Sequence, residues 1–531
     1  MVASILLLYF LIIINSSPLV NMAIIEASTY LLYFPSLSSI SLVLFAVVVL
    51  TSGYYGALSI YNIWLHPLAK YPGPRLAAAS PLWMILSYFH GRTPTDLLKL
   101  HNKYGPVVRT GPNDLSFISP MQWREIYGYK SRGEVEFARD PRYFSGLGND
   151  PIIFTADTNY HGYIRKLLGH GFSERSLREQ EPILKEYINT LFHRLDKECQ
   201  NGEQPLDIAS WFNYLIFDFI GFLTFGESFD CLTTGTLHQW VGVSFGLAKT
   251  MLYHQMSSRL PYLLRVIFER YFIPRNDKGV MATLQSTNEE KVRHRLNNHP
   301  PVPDFMDSLV EAFNSGKMTA QQLEGNAAIL VSAGSETTAT LLSGLTWLLL
   351  KHPRVLAKLT REIRTKFSSA DAITISGVNE CKYLLGCIEE ALRMYPPSPQ
   401  PHQRLVPPGG ALVNGSFLPG GTSVSVPIYA IANSALNFAE PGSFIPERWT
   451  GEDAARFVRD KREASQPFSC GPRNCLGRNL AYAEIKLVLA RLVWQFDVGN
   501  ATEGDWMDQR VFMVWEKAPL MVTLRPAGRG E

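Results

Sequence analysis

The chain has few cysteines, little net charge and, near its start, almost no charged side chains. Six cysteines in 531 residues show no paired spacing, which argues against a disulfide-stapled scaffold and favours a reducing compartment. Lysine plus arginine number 50 against 47 for aspartate plus glutamate, so no nucleic-acid partner is expected, because that binding needs a concentrated basic face. Apolar residues make up 46%, which permits a large core and argues against disorder.

Charge is scarcest in the first 69 residues, where Glu26 is the one charged side chain. Residues 39–61 are long and apolar enough to cross a bilayer, which takes about 20 residues. The first basic residue is Lys70, so the positive-inside rule places the chain from there onward in the cytosol. We therefore predict a membrane anchor over residues 1–65, with a transmembrane helix at about 39–61.

Two alternatives remain open at this end of the chain. Residues 39–61 could instead form a buried core helix. The shorter run Ser4–Ile14 could be a second span or an interfacial segment, and it lacks the basic region of a signal peptide, which favours an uncleaved anchor. Asn15 begins a glycosylation sequon whose use is left open.

Helical patterns dominate the chain after the anchor. A capping box at residues 319–322 opens a long apolar helix that runs to about Leu350, and a helix this apolar should cross the protein interior. Pro353 should end it and begin the next helix. Loops are predicted near residues 200–205 and 273–303.

Short strands are predicted between the helices. Residues 107–110 and 114–117 suggest two of them, and Asn414-Gly415 between apolar residues is a strong hairpin signal. The proline-rich segment His66–Pro74 cannot be helical and should act as a stiff hinge. Residues 66–531 are therefore predicted to form one large domain, mainly α with small β-sheets.

The segment with the most distinctive chemistry surrounds Cys475. Turn-forming Gly471 and Gly477 bracket this cysteine, and a helical apolar face follows it, so Cys475 should lie at a helix N-terminus that stabilises a thiolate. A thiolate suits a haem iron on which cleavage of the O–O bond is favoured. Glycines on both sides would let a flat macrocycle approach the backbone closely.

This segment resembles the haem-binding signature of cytochromes P450, Phe-x-x-Gly-x-Arg-x-Cys-x-Gly. The match holds at every fixed position: Phe468, Gly471, Arg473, Cys475 and Gly477. The resemblance implies that Cys475 is the axial ligand of haem b, that Arg473 binds a haem propionate and that Phe468 shields the sulfur.

Two other interpretations of this cysteine were considered. Cys470 and Cys475 could open an iron–sulfur motif, but position 478, where the next cysteine should stand, is arginine. Cys475 could also be a plain buried cysteine. The number of matched positions disfavours both interpretations.

The long apolar helix contains Ala333–Thr338, which resembles the distal motif of the same family. The resemblance implies that Gly334 opens the helix beside the haem, that Thr337 hydrogen-bonds dioxygen and that Glu336 relays protons from solvent. The alternative is a glycine-kinked helix with back-bonding threonines.

Glu390 and Arg393, one turn apart on a helix, resemble the family's Glu-x-x-Arg pair, and Arg448 resembles the arginine that completes a buried charge network with them. On that resemblance the three residues are scaffold of the haem pocket rather than reacting groups. Taken alone, the Glu390–Arg393 pair would more often mark a solvated helix face.

The two haem carboxylates need basic partners, and three residues resemble those of the family. His161 and Arg165 lie one helical turn apart, and Arg404 follows a proline-rich turn. Taken singly, each would more often be a surface charge.

The resemblance, which is strongest to fungal enzymes of secondary metabolism, implies an overall function. We expect a monooxygenase on the cytosolic face of the endoplasmic reticulum that oxidises a lipophilic terpenoid, polyketide or alkaloid with O2. Its electrons would come from NADPH through a cytochrome P450 reductase, with cytochrome b5 as an optional partner. The alternatives are a reductase-independent isomerase or dehydratase of the same fold, and a non-catalytic haem- or lipid-binding membrane protein.

Overall fold

The computed structural model describes residues 37–527 except 132, 145–151, 156, 274–276, 299, 301 and 303. The segment Ser4–Ile14 and the Asn15 sequon therefore lie outside the described residues. The described α-helices, α1 to α19 in chain order, are Leu37–Ile60, Arg75–Ala79, Leu82–Phe89, Thr93–Tyr104, Thr158–Leu168, Glu174–Glu198, Ile208–Phe225, Cys231–Thr234, Gln239–Ser257, Tyr262–Phe272, Asp277–Asn297, Asp307–Asn314, Ala320–Lys351, Pro353–Lys366, Ile375–Asn379, Lys382–Met394, Ile428–Ala432, Glu447–Thr450 and Arg478–Gln495.

Short strands form small sheets around this helical body. The described strands, β1 to β12, are Val107–Gly111, Asp114–Phe117, Ala138–Arg139, Leu206–Asp207, Arg404–Leu405, Ala411–Val413, Ser416–Leu418, Ser423–Ser425, Phe496–Asn500, Val511–Phe512, Val514–Trp515 and Met521–Pro526. The largest sheet has the order β1-β2-β8-β5-β3, a three-stranded sheet has the order β4-β12-β9, and β6-β7 and β10-β11 are hairpins. The predicted fold class, mainly α with small β-sheets, is confirmed.

Two helices are long and apolar enough to span a membrane, and their burial separates them. Residues 41–65, which comprise most of α1 and the π-helical turn Tyr61–Leu65, have no buried share in the apolar window. Leu42 and Phe45 are about two-thirds exposed, so α1 is not a core helix. Helix α7 is similarly apolar but mostly buried, which makes it a core helix. The candidate anchor helix therefore lies where the sequence predicted it.

Helix α13 crosses the interior and packs most extensively against α7. The Thr319 hydroxyl accepts from the Gln322 backbone at 3.2 Å, and the Gln322 side chain accepts from the Thr319 backbone at 3.0 Å. This reciprocal pair satisfies two N–H groups at the helix start. The predicted capping box, the interior course and the start of α14 at Pro353 are all confirmed.

The predicted loop over residues 273–303 is wrong in its central part, because α11 occupies Asp277–Asn297. This segment is polar and shows no continuous apolar stripe, so the sequence pattern hid the helix. Tertiary contacts stabilise it instead: Val292 is buried, and the Asn288 side chain donates to the Glu324 carbonyl at 2.9 Å.

Candidate functional site

Backbone contacts hold the loop that contains Cys475 in one shape. The Cys475 amide donates to the carbonyl of Phe468 at 2.9 Å. Gly471 has a φ of +75°, and a Cβ atom there would lie 1.9 Å from the carbonyl oxygen of Tyr127. Only glycine tolerates both the positive φ and this close contact. The π-helical turn Trp123–Tyr127, which packs against the loop, therefore requires glycine at position 471.

Cys475 is a solvent-exposed residue, but many protein atoms lie around its thiol. Burial raises its pKa, while the hydrogen bond from the Gly477 amide and the charges of Arg165 and Arg478 act to lower it. The sequence led us to expect a thiolate stabilised at the helix N-terminus, and these groups act in that direction without overcoming burial. A metal ion coordinated by the sulfur would act in the same direction as these groups, because its positive charge favours the thiolate.

Gly477 and Phe468 flank this thiol in different ways. Among the described residues, a Cβ atom on Gly477 would meet only the Phe172 ring, at an ordinary 3.7 Å. Protein packing therefore does not require the glycine, which fits a ligand that approaches the backbone. Phe468 is half-buried, its ring centroid lies 5.3 Å from that of Tyr482, and Arg478 lies over it.

Buried guanidinium groups meet beside the cysteine loop. Strand β3 pairs with β5 so that Arg139 lies directly opposite Arg404. Arg404 is 5% exposed, and its Nε and Nη1 atoms have no hydrogen-bond partner among the described residues. Arg473 donates from Nε to Oε1 of Glu136 at 2.7 Å. Burial lowers the pKa of Arg139 to about 9, and repulsion from Arg404 and Arg473 adds to the effect, so the cluster fits an anionic ligand.

The structure separates the two α5 residues that the sequence paired. His161 joins the guanidinium cluster, where burial lowers its pKa to about 4 and the charges of Arg473 and Arg139 add to the effect. It is therefore neutral at neutral pH and offers an N–H donor rather than a charge. Arg165 instead contacts the cysteine loop, donating from Nη1 to the Asn474 carbonyl at 2.7 Å and from Nη2 to the Asn474 side chain.

Helix α13 distributes the distal motif over two sides. Thr337 lies on the accessible side, and its hydroxyl donates to the carbonyl of Ala333 at 2.8 Å. Glu336 lies on the buried side, where Oε1 accepts hydrogen bonds from Lys517 and from Thr340, the latter at 3.1 Å. Within the described residues its Oε2 is buried without a partner, and no hydrogen bond joins Glu336 directly to Thr337.

Helix α13 is continuous through Gly334, from Ala320 to Lys351. An opening of the helix at this glycine beside a bound haem stays a prediction. A Cβ atom there would lie 3.3 Å from the side chain of Ile220, so the glycine permits the close approach of α7.

Glu390, Arg393 and Arg448 meet in a fully buried charge network. Arg393 donates to both Glu390 oxygens, at 2.8 and 2.9 Å. Arg448 donates to the same carboxylate at 3.0 Å, and the Trp449 indole also donates to it, at 2.8 Å. Arg448 also pairs with Asp460. Burial opposes ionisation of Glu390, but the arginines and the Ile445 amide hold its pKa below its ordinary value. The pair is not part of a solvated face.

Sequence reasoning missed several side chains near these groups. Glu136 and Arg139 belong to a segment without a motif, and the β3–β5 pairing brings them to the cysteine loop. Lys517 follows a two-residue strand, with no periodicity to mark it. Glu484 is buried on α19, and an acid among the apolar residues of that helix was the one available signal.

These residues fit haem, an iron macrocycle with two carboxylates. Cys475 offers an accessible thiol for the iron. The backbone at Gly477 has room for a flat ligand, and the unpartnered guanidinium atoms of Arg404 suit a carboxylate.

Comparison with known proteins places the chain in a family. A family model described as Cytochrome P450 matches residues 74–523. Cytochrome P450 monooxygenase hepD of Aspergillus oryzae is 43% identical over 484 residues, which cover 91% of this chain and 95% of that protein. Averantin hydroxylase of Aspergillus parasiticus is 40% identical over 490 residues, covering 90% and 97%. Trichothecene C-15 hydroxylase of Fusarium sporotrichioides is 39% identical over 483 residues, covering 89% and 96%.

Relatives named for monooxygenase or hydroxylase activity match nearly the whole chain, so the non-catalytic alternative is wrong. The family match covers the cysteine loop, the interior helix and the buried charge network alike. The chain therefore belongs to the cytochrome P450 family and is a cytochrome P450 monooxygenase.

Proposed function

We propose that this monooxygenase binds haem b through Cys475 and inserts oxygen into a lipophilic small molecule with electrons from NADPH. The observation that carries the proposal is an exposed cysteine in a rigid loop, near the buried guanidinium group of Arg404, whose Nε and Nη1 atoms have no hydrogen-bond partner among the described residues. Haem, when bound, supplies the iron centre at which dioxygen is activated for transfer of one oxygen atom.

Each residue of the cysteine loop has a defined part in holding the cofactor. Cys475 would coordinate the iron, while Gly471 fixes the loop against the π-helical turn and Gly477 leaves the backbone open. Arg473 and Arg404 would bind the carboxylates by charge.

Three neighbouring residues would support these contacts. His161 would add an N–H donor to the carboxylate site. Arg165 would keep the loop in register through its two hydrogen bonds to Asn474. Phe468 would limit access of water to the sulfur.

Proton transfer is assigned to the middle of α13. Thr337 holds its hydroxyl on the accessible side through the bond that it donates to the Ala333 carbonyl. Because that bond uses its one proton, Oγ1 would accept a hydrogen bond from a reactant there, or donate to it after turning away from Ala333. Glu336 would take up protons at Oε2, while Lys517 holds its Oε1. Because the described residues show no direct bond between Glu336 and Thr337, a water molecule would bridge them.

The substrate class rests on the relatives. Averantin hydroxylase and trichothecene C-15 hydroxylase are named for hydroxylation of small organic molecules. We infer a lipophilic product of fungal secondary metabolism, a terpenoid, polyketide or alkaloid, as the substrate of this chain.

The electron donor would dock on the side of the cysteine loop. Arg124 and Arg478 are exposed there, and their charges act on the thiols of Cys470 and Cys475. A basic surface of this kind suits the acidic face of a cytochrome P450 reductase or of cytochrome b5.

The endoplasmic reticulum membrane is the proposed location, with the catalytic domain, residues 66–531, in the cytosol. Helix α1 exposes its apolar side chains, and α10, all of whose residues are described, buries none of its own. Phe272 of α10 contacts Phe89 of α3 edge to face at 5.9 Å, which extends this apolar surface. Alkaline extraction should leave the full chain in the membrane pellet and release a variant lacking residues 1–65.

Purified full-length protein with a reductase tests the function. Product should form only when NADPH, reductase and O2 are all present, and a candidate substrate should shift the haem absorption spectrum. Turnover without NADPH and reductase would contradict the proposed source of electrons.

A further inference from the structure

Two arginines face each other across a pair of strands beside the cysteine loop. The register of β3 against β5 sets Arg139 directly opposite Arg404. Like charges in this position destabilise a strand pair, because the side chains of directly opposed residues lie close together. Arg404 is 5% exposed and Arg139 is half-buried, and burial lowers the pKa of each guanidinium group. Arg139 also donates to the Phe154 carbonyl, and a nearby negative charge would further stabilise the strand pair in this register.

Glu136 provides a negative charge at this place. It lies three residues before Arg139, and Phe137, next in the chain, is buried in the core and fixes the segment. The Glu136 carboxylate pairs with Arg473 at 2.7 Å, with 17% of the Glu136 side chain exposed and 3% of the Arg473 side chain. Its charge also acts on Arg139 and Arg404, in each case favouring the charged guanidinium.

Glu136 and the haem carboxylates would act on the same cations. Counting these described side chains, three arginines against one glutamate leave an excess of two positive charges, and haem brings two carboxylates. The electrostatic energy of a buried net charge rises steeply with the size of that charge. Each anion that lies beside the arginines lowers their net positive charge, so it reduces the binding energy of the next anion. Glu136 and haem should therefore be antagonistic ligands of one cluster, in the sense of a negative coupling free energy.

We propose that Glu136 is a positioning residue that neutralises Arg473 and the Arg139–Arg404 pair while the chain folds, and that it competes with the haem carboxylates for this cluster. This rests on the proposed haem site. Glu136 thus stabilises the protein before haem arrives, and in doing so it weakens haem retention.

The test measures haem release from the full-length holoenzyme in nanodiscs to an excess of apomyoglobin. The rate of haem release from Glu136→Gln should be at least about fivefold lower than that of the unaltered protein. A factor of about five is the low end of the usual coupling between two ligands. Glu136→Asp keeps the charge and should stay near the unaltered rate. Glu134→Gln, an exposed neighbour on the same segment, is the matched control and should change nothing.

A second arm isolates the carboxylates of the cofactor. With haem dimethyl ester, whose carboxylates are uncharged, Glu136→Gln and the unaltered protein should release the cofactor at the same rate. Equal or faster release of ordinary haem by Glu136→Gln would overturn the inference, as would slower release that persists with the ester.

Protein yield keeps the inference testable if Glu136→Gln folds poorly. Its yield should then recover when haem supply is raised during expression, or when Arg404→Gln removes one of the opposed charges. Failure of both rescues would overturn the inference. Unaltered protein without a thiolate-type carbon monoxide spectrum would instead overturn the proposed cofactor site, so the two failures are distinguishable.

Discussion

Thr338 donates a hydrogen bond to Oε2 of Glu484 at 3.0 Å, joining the interior helix α13 to α19, the helix that follows Cys475. Glu484 is 1% exposed, and its Oε1 has no partner among the described residues. Burial raises the pKa of Glu484 to about 8, although the bond from Thr338 opposes the shift. The carboxyl is therefore mainly protonated at neutral pH and links the two helices as a neutral group.

Replacement of Glu484 by glutamine should flatten the dependence of stability on pH. A carboxyl whose pKa is raised from 4.5 to about 8 on folding binds more protons in the folded state between these values. The free energy of unfolding of the unaltered protein should therefore fall as pH rises through this window, by up to about 5 kcal/mol from this group. Glu484→Gln should lack that decline when thermal unfolding is followed at several pH values. An identical slope in both proteins would contradict the assignment.

Thr337 and Thr338 are adjacent but should respond differently to replacement by alanine. Thr337→Ala removes an accessible hydroxyl, so product formed per NADPH consumed should fall about tenfold while stability stays close to normal. Thr338→Ala removes the partner of Glu484 and should cost about 1–3 kcal/mol of stability with coupling preserved. Thr337→Ser should restore the normal amount of product per NADPH. Loss of coupling in both alanine variants would refute the separate roles.

The pair between Glu336 and Lys517 should behave as a coupled unit. Both side chains are nearly buried, so Lys517→Met leaves a carboxylate without its cation and should lower stability by about 1–3 kcal/mol. Glu336→Gln in addition should recover part of that loss, because the uncompensated charge is gone. Melting temperatures of the two single variants and the double variant give the coupling. Strictly additive effects would exclude a direct interaction.

Reversal of charge at Arg124 should impair electron delivery without affecting the cofactor. Arg124→Glu should slow reductase-driven turnover at low ionic strength, and added salt should narrow the difference. Lys99→Glu, which changes an exposed side chain of α4, is the control and should behave like the unaltered protein. Haem content and turnover with a peroxide, which bypasses the reductase, should stay unchanged in Arg124→Glu. A loss that persists with peroxide would place the defect in the active site.

The sequence was sufficient where function and local pattern coincide. The Cys475 loop is dense in glycine and proline, and α13 is apolar along its length, so both were located from local signals alone. Glu390, Arg393 and Arg448 were found through the resemblance, and the structure brings them into one network.

The residues that were missed depend on contacts between distant parts of the chain. Arg139 faces Arg404 only because two short strands that lie far apart in the sequence pair with each other, and no local pattern encodes that pairing. Lys517 reaches Glu336 from a loop with no periodicity. Arg165 hydrogen-bonds Asn474 of the cysteine loop, a contact that the sequence did not predict, and its contact with a haem carboxylate stays a prediction.

The carbon monoxide difference spectrum of the reduced protein tests the central assignment most directly, because it reports thiolate ligation of the iron. Cys470 is the matched control, a partly buried cysteine in the same loop whose thiol donates to the Trp123 carbonyl at 3.1 Å. The unaltered protein and Cys470→Ser should both give the thiolate-type band, and Cys475→Ser should lose it. A thiolate-type band retained by Cys475→Ser, or purified protein without haem, would contradict the account.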